Sequence, residues 1–161
     1  MGTPIVNDEL LQQIPGGPEL VAWFGHVPTF HDAEILSLAL DRKGPSCQVL
    51  VHHWGYTGAT DPNGYFVTDR HVMVRFALDD VTDLELNGFN QQNVVMEIVL
   101  SRTTANGYHL ELFPCFGIDA WIEAREVTIS LIPGIPEASG HGPRRGGARA
   151  PTEEEQAELG A

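Results

Sequence analysis

The chain is short of positive charge. Its 161 residues include nine lysines and arginines against 22 aspartates and glutamates, for a formal charge of −13, and Lys43 is the single lysine. A chain this acidic is repelled by nucleic-acid phosphates and anionic lipid, which argues against both as direct partners and favours a basic protein surface or a cation. No apolar run approaches the ~18 residues of a membrane span. Met1 to Gln13 contains Asp8 and Glu9 and no basic residue, so no secretory leader is read and a cytoplasmic protein is expected. Cys47 and Cys115 are the only cysteines. Two cysteines provide neither a disulfide framework nor a four-thiolate zinc site, and both are expected to be buried or half-buried, unreactive thiols.

Short-range catalytic signatures are also missing. There is no Gly-x-Ser-x-Gly elbow, no phosphate loop, no Gly-x-Gly-x-x-Gly, no His-x-x-x-His, no His-x-His and no Cys-x-x-Cys. These absences make the case for an enzyme thin, and no cofactor is expected.

What is present is alternation. Leu36, Leu38 and Leu40 alternate with polar or small residues. The same period of two runs through Val72–Leu78, Leu84–Leu86, Met96–Leu100 and Val127–Leu131. Cys47 to Trp54 and Tyr108 to Phe113 read as weaker strands, and Ile118 to Arg125 as a strand or a helical turn. Lys43-Gly44-Pro45-Ser46 and Ala105-Asn106-Gly107 read as hairpin turns. Gly55 to Asp69 is a long loop, or a strand extension folded over Asp61-Pro62-Asn63-Gly64. Helices are expected at Asn7–Ile14 and after Gly17-Pro18-Glu19, where proline and an acid suit a first turn and Gly25 and Pro28 end it. The fold class is therefore α+β, mainly β. It is a twisted antiparallel sheet of six or seven strands with one or two short N-terminal helices, either curled on itself or covered on one face by the helix.

The domain is read as residues 1–135. From Pro136 to Ala161 glycine, proline, arginine and glutamate dominate and Leu159 is the only large apolar residue, so this tail is expected to be disordered. Its three arginines and five glutamates account for −2, leaving −11 on the domain.

Several residues are candidates for chemistry. His31, Asp32 and Glu34 could form a base with its orienting acid, or metal ligands, but can equally bond loop backbone where the chain enters a strand. His52 and His53 are adjacent in a strand and point to opposite faces, so they do not share a metal easily; one of them could meet His31, His71 or His109 from another strand. Asp79, Asp80, Asp83 and Glu85 read as a solvated turn that presents a negative patch. Trp54, Tyr56 and Tyr65 could place an exposed aromatic anchor at a strand end. Trp23, Phe24 and Phe30 read as core. The amides of Asn87 to Asn93 read as a connection whose side chains satisfy loop backbone.

The run Trp23-Phe24-Gly25-His26-Val27-Pro28-Thr29-Phe30-His31-Asp32-Ala33-Glu34-Ile35 resembles the signature of a bacterial family, immunity protein 50 of polymorphic toxin systems. Val74-Arg75-Phe76 and Gly88 to Asn93 fit the same picture, and the resemblance covers roughly residues 20 to 132. It implies a cytoplasmic, non-catalytic antidote that binds and neutralises a cognate toxin domain, commonly encoded next door. It brings no catalytic residues, so Phe30, His31, Asp32 and Glu34 are read as a structural motif. A domain of −11 suits a toxin with a basic cleft, such as a nuclease, and Trp54, Asp79, Asp80 and Asp83 are the candidate contacts. Two rival readings remain at this level. One is a small metal-dependent enzyme built on His31, Asp32 and other histidines. The other is a β-rich carbohydrate or small-ligand module using Trp54, Tyr56 and Tyr65.

Overall fold

The structure, a computed structural model, describes residues 7–137 and 139. Two helices come first, α1 (Asn7–Leu11) and α2 (Gly17–Phe24). Six strands follow: β1 (Glu34–Asp41), β2 (Ser46–Thr60), β3 (Phe66–Asn87), β4 (Val94–Arg102), β5 (Tyr108–Phe116) and β6 (Asp119–Pro133). All neighbours are antiparallel, and the order β1-β2-β3-β6-β5-β4 closes into a barrel.

The alternation of the sequence becomes an inside and an outside. Cys47, Val49 and Val51 on β2, Val72, Val74, Phe76 and Leu78 on β3, Leu110 and Leu112 on β5, and Ile122 on β6 are all buried. Their alternate neighbours face outward, as a pleated wall requires. The two helices add Leu10, Leu11, Leu20 and Phe24 to the same core, and the turn between them adds Ile14. The sheet is thus both curled on itself and packed by the helices.

Three features lock the helices to the wall. Gly25 takes a left-handed conformation (φ 79°) and its N–H returns to the Val21 carbonyl, ending α2. Arg70 donates from Nη1 to the Phe24 carbonyl at 2.8 Å, while Trp23 Nε1 donates to the Arg70 carbonyl at 2.8 Å. A guanidinium at a helix C-terminus also meets the negative end of its dipole. Ahead of α2, the Pro15 carbonyl accepts from Ile129 N at 2.8 Å, which presses Gly16 against β6.

Several sequence expectations change in detail. Val72–Leu78 and Leu84–Leu86 belong to one strand, β3, because Asp79–Asp83 stays paired with β6 instead of turning. The residues expected as a solvated turn are therefore a strand segment. Gly55–Asp69 is the strand extension: β2 and β3 run on as an arm whose tip is held by Asp61, which accepts from the N–H groups of Asn63 and Tyr65. Ile118–Arg125 is strand, continuous with Val127–Leu131 in β6 apart from its first residue. Cys47 is buried, and burial pushes its thiol up to about 11, whereas Cys115 is exposed at the end of β5, contrary to expectation. Of the segment read as tail, Pro136, Glu137 and Ser139 are described and Ser139 is buried; residues 140–161 lie outside the described residues.

Candidate functional site

The Phe30–Glu34 motif sits at the barrel seam. Phe30 (φ 66°) and Asp32 (φ 65°) are both left-handed, which is uncommon for side-chain-bearing residues and costs on the order of 1 kcal/mol each. The reward is closure. Asp32 N donates to the Val95 carbonyl and Val95 N to the Ala33 carbonyl, both at 3.0 Å, and Ile35 N reaches Asn93 O at 2.8 Å. These bonds and the Glu34–Val94 pair join β1 to β4. Phe30 turns inward against Phe76 (5.8 Å between ring centres) and His53 (5.2 Å). His31 Nδ1 donates to the Met96 carbonyl at 3.1 Å; His31 remains exposed and Asp32 half-buried, 3.6 Å apart. Asn93 and Asn90, from the amide-rich loop, hold the other side of the seam. Asn93 Oδ1 accepts from the N–H groups of Asn90 and Ile118, and Asn90 Oδ1 from those of Gln92 and Asn93. The motif and the amide loop, far apart in sequence, are two halves of one closure.

Glu34, the last motif residue, points to the outer face and begins a hydrogen-bonded chain. Its Oε1 accepts from His52 Nδ1 at 2.7 Å; His52 Nε2 accepts from His71 Nδ1 at 2.9 Å; His71 Nε2 accepts from Thr68 Oγ1 at 2.8 Å. One set of neutral tautomers satisfies every step. Ser139 Oγ bonds Glu34 Oε1 and lies 3.1 Å from His52 Nδ1. Serine and carboxylate thus meet the same ring nitrogen. A Ser-His-acid triad needs them on opposite nitrogens, so this cluster is not that machine. His53, on the inner face, is buried against Phe24, Phe30 and Trp54. Burial, aided by the nearby His52, His26, His31 and His71, lowers its pKa to about 3, so it stays neutral. Although His31 lies near other histidines, among the described residues no group of three His, Cys, Asp or Glu is placed to hold a metal. Trp54 is 2% exposed, stacks on His71 and packs at a tilt against His52, which removes it as an exposed anchor and from any exposed sugar platform with Tyr56 and Tyr65.

The charge is concentrated elsewhere, on the outer wall of β3, β6, β5 and β4. Register places residues in rows across it. Asp79 lies opposite Glu126; Asp83 lies opposite Glu123, then His109 and Ser101; Glu85 lies opposite Trp121, then Glu111 and Val99. Asp80 is left-handed (φ 54°), and around it the alternation slips, so that Asp79 and Asp80 are both exposed opposite the exposed Arg125 and Glu126. Acids directly opposite one another destabilise a sheet. One imidazole bridges part of the wall: His109 Nδ1 lies 2.8 Å from Glu123 Oε2 and its Nε2 lies 3.2 Å from Glu111 Oε1, and its ring stacks on Trp121 at 5.5 Å. Beside this row, the β4–β5 hairpin and β6 enclose a polar cleft of about 740 Å³ lined by Arg102, Arg125, His109 and Glu123.

Asp79, Asp80 and Asp83 are therefore brought together on one wall. Trp54 is not among them; the aromatic at its centre is Trp121. Sequence reasoning missed His109, Glu111, Trp121 and Glu123 as a unit. The alternation of Trp121, Glu123 and Arg125 carried a signal, but which strand lies beside β6 is a property of topology.

Fold and site together define a small closed β-barrel with a strongly acidic, aromatic-centred outer wall. The family model for Immunity protein 50 matches residues 18–128, from α2 into β6, and the chain belongs to that family. Its role is, in general terms, an immunity role. No curated protein and no solved structure matches the chain.

Proposed function

We propose that this protein is a stoichiometric, non-catalytic antidote that neutralises a cognate toxin by covering a basic surface with its acidic wall. The observation that carries the reading is the placement of like charges directly opposite each other, Asp79 with Glu126 and Asp83 with Glu123. That arrangement costs fold stability, and a basic partner recovers the cost on binding. Trp121, half-buried in the middle of the acids, supplies the kind of aromatic that dominates interface energetics. A toxin that cuts nucleic acid presents a basic cleft of this complementary kind, and an acidic wall occupying it excludes the phosphate backbone.

The test is co-expression with the toxin domain encoded beside this gene, followed by co-purification over a range of salt. Rescue of growth with a complex that weakens steeply between low and physiological salt is the expected result. Persistent toxicity and no complex would overturn the proposal.

A further inference from the structure

Whereas every other neighbouring pair of strands is held by extended pairing, among the described residues β1 joins β4 only through Glu34–Val94 and the backbone bonds of Asp32, Ala33 and Ile35. Beyond Ile35 the two strands part. Among the described residues, nothing pairs with the outer edge of β1 from Leu36 to Asp41. An unpaired strand edge is a template for another strand.

A second, independent feature marks the same place. Leu38 lies in the row Leu38–Val49–Phe76–Ile129 and Leu40 in the row Leu40–Cys47–Leu78–Val127. The other members of both rows are buried, so these leucines face the barrel interior. Yet Leu38 is only half-buried and Leu40 is 56% exposed, where β4 no longer pairs with β1. An inward-facing leucine in water and an unpaired backbone edge are both relieved by one ligand, an added strand. At the far end of the edge, a groove of about 420 Å³ is lined by the apolar Leu40, Val81 and Leu84 and by the charged Asp41, Asp83 and Arg42.

We infer that the free edge of β1 receives an extended segment of the toxin, apolar at alternate positions and carrying lysine or arginine between them, which pairs with Leu36–Asp41 as an additional strand. The inference rests on the antidote reading and gives it a geometry. The row Asp41–Ser46–Asp79–Glu126 runs from this edge across β2 and β3 to β6, so Asp41 at the edge is in register with the acids of the wall two strands away. Charge selects the occupant. Leu36-Ser37-Leu38-Ala39-Leu40 could also pair with itself, but that brings together two chains of −13 each, whereas a basic segment is drawn in.

The experiment is amide hydrogen exchange on the full chain, alone and with the toxin domain encoded beside it. Titration of the same toxin domain against Leu40→Lys and, as a control at an equally exposed apolar site away from the edge, Phe89→Lys completes it. The amides of Leu36–Asp41 are expected to exchange readily in the free chain and to slow about tenfold or more in the complex. Leu40→Lys should weaken binding about tenfold or more without lowering the melting temperature, and Phe89→Lys should leave it unchanged. A complex that leaves these amides exchanging freely, or that tolerates Leu40→Lys, would overturn this inference and leave the antidote reading standing. Failure of the wild-type chain to bind would overturn both. Slow exchange already present in the free chain would give the edge to another occupant: a second copy if it depends on concentration, this chain's own residues if it does not.

Discussion

His53 shows how one buried side chain sets a pH limit on the fold. Among the described residues its Nδ1 has no hydrogen-bond partner, and the ring is packed among aromatics. Its pKa lies near 3 in the folded chain against 6.5 ordinarily, so below pH 6.5 the unfolded chain takes up a proton that the folded chain refuses. Stability from this group is complete above pH 6.5 and is lost as pH falls toward 3, by about 1.4 kcal/mol per pH unit once well below 6.5. Urea midpoints between pH 7 and 5 should fall for the wild type, and less steeply for His53→Leu, which fills the apolar site without a proton to bind. Equal slopes for the two would show that His53 does not control the acid limb. The same residue marks the reach of sequence reasoning at this scale. Alternation shows that His52 and His53 face opposite ways, but only packing makes one a link to Glu34 and His71 and the other a neutral member of the core.

Among the elements, the joint between α1 and α2 is the tightest. A Cβ on Gly16 would lie 1.7 Å from the Ile129 carbonyl oxygen, and Gly16 is also left-handed (φ 87°). Gly16→Ala must break the contact of the helices with β6, and a loss of about 3 kcal/mol or more is expected in chemical denaturation. Gly58→Ala, also left-handed but in open space, should cost about 1 kcal/mol. Similar losses for both would mean that the close approach to Ile129 carries no weight. The β3–β6 pair makes a prediction of the opposite sign. Asp83→Asn removes the repulsion facing Glu123 while keeping an oxygen to accept from Leu84 N. It should stabilise the domain by roughly 0.2–1 kcal/mol at low salt, and by less at high salt. A destabilised variant would show that the opposed acids are not in conflict. These strands also explain an expectation that failed. Asp79–Asp83 has the composition of a turn, and it stays in the sheet because β6 pairs along it and a local slip at Asp80 turns both Asp79 and Asp80 to water.

For the whole molecule, the consequence of a net −13 is kinetic. Charge reversal of the exposed pair, Asp79→Lys with Asp80→Lys, should slow association with the toxin about tenfold at low salt and change dissociation far less, as steering charges do. Stopped-flow association over a range of ionic strength measures this, with the difference between the proteins shrinking as salt rises. An association rate indifferent to both changes would place the interface away from this wall.

Local chemistry was enough to determine much of this protein. Period-two alternation specifies strands because a pleat puts successive side chains on opposite faces. Gly17-Pro18-Glu19 and Gly25 bound a helix because of what their backbones permit. The excess of acid over base requires no structure at all. The Phe30–Glu34 motif could be recognised as a unit because its residues are contiguous. Tertiary structure decided what depends on neighbours distant in the chain. The order β1-β2-β3-β6-β5-β4 places His109 between Glu111 and Glu123, buries Trp54 while leaving Trp121 on the wall, and sets the amide loop against the motif at the seam. A strand's sequence specifies which face is apolar, but its pairing partner is chosen by the closure of the barrel, and every feature of the candidate site depends on that choice.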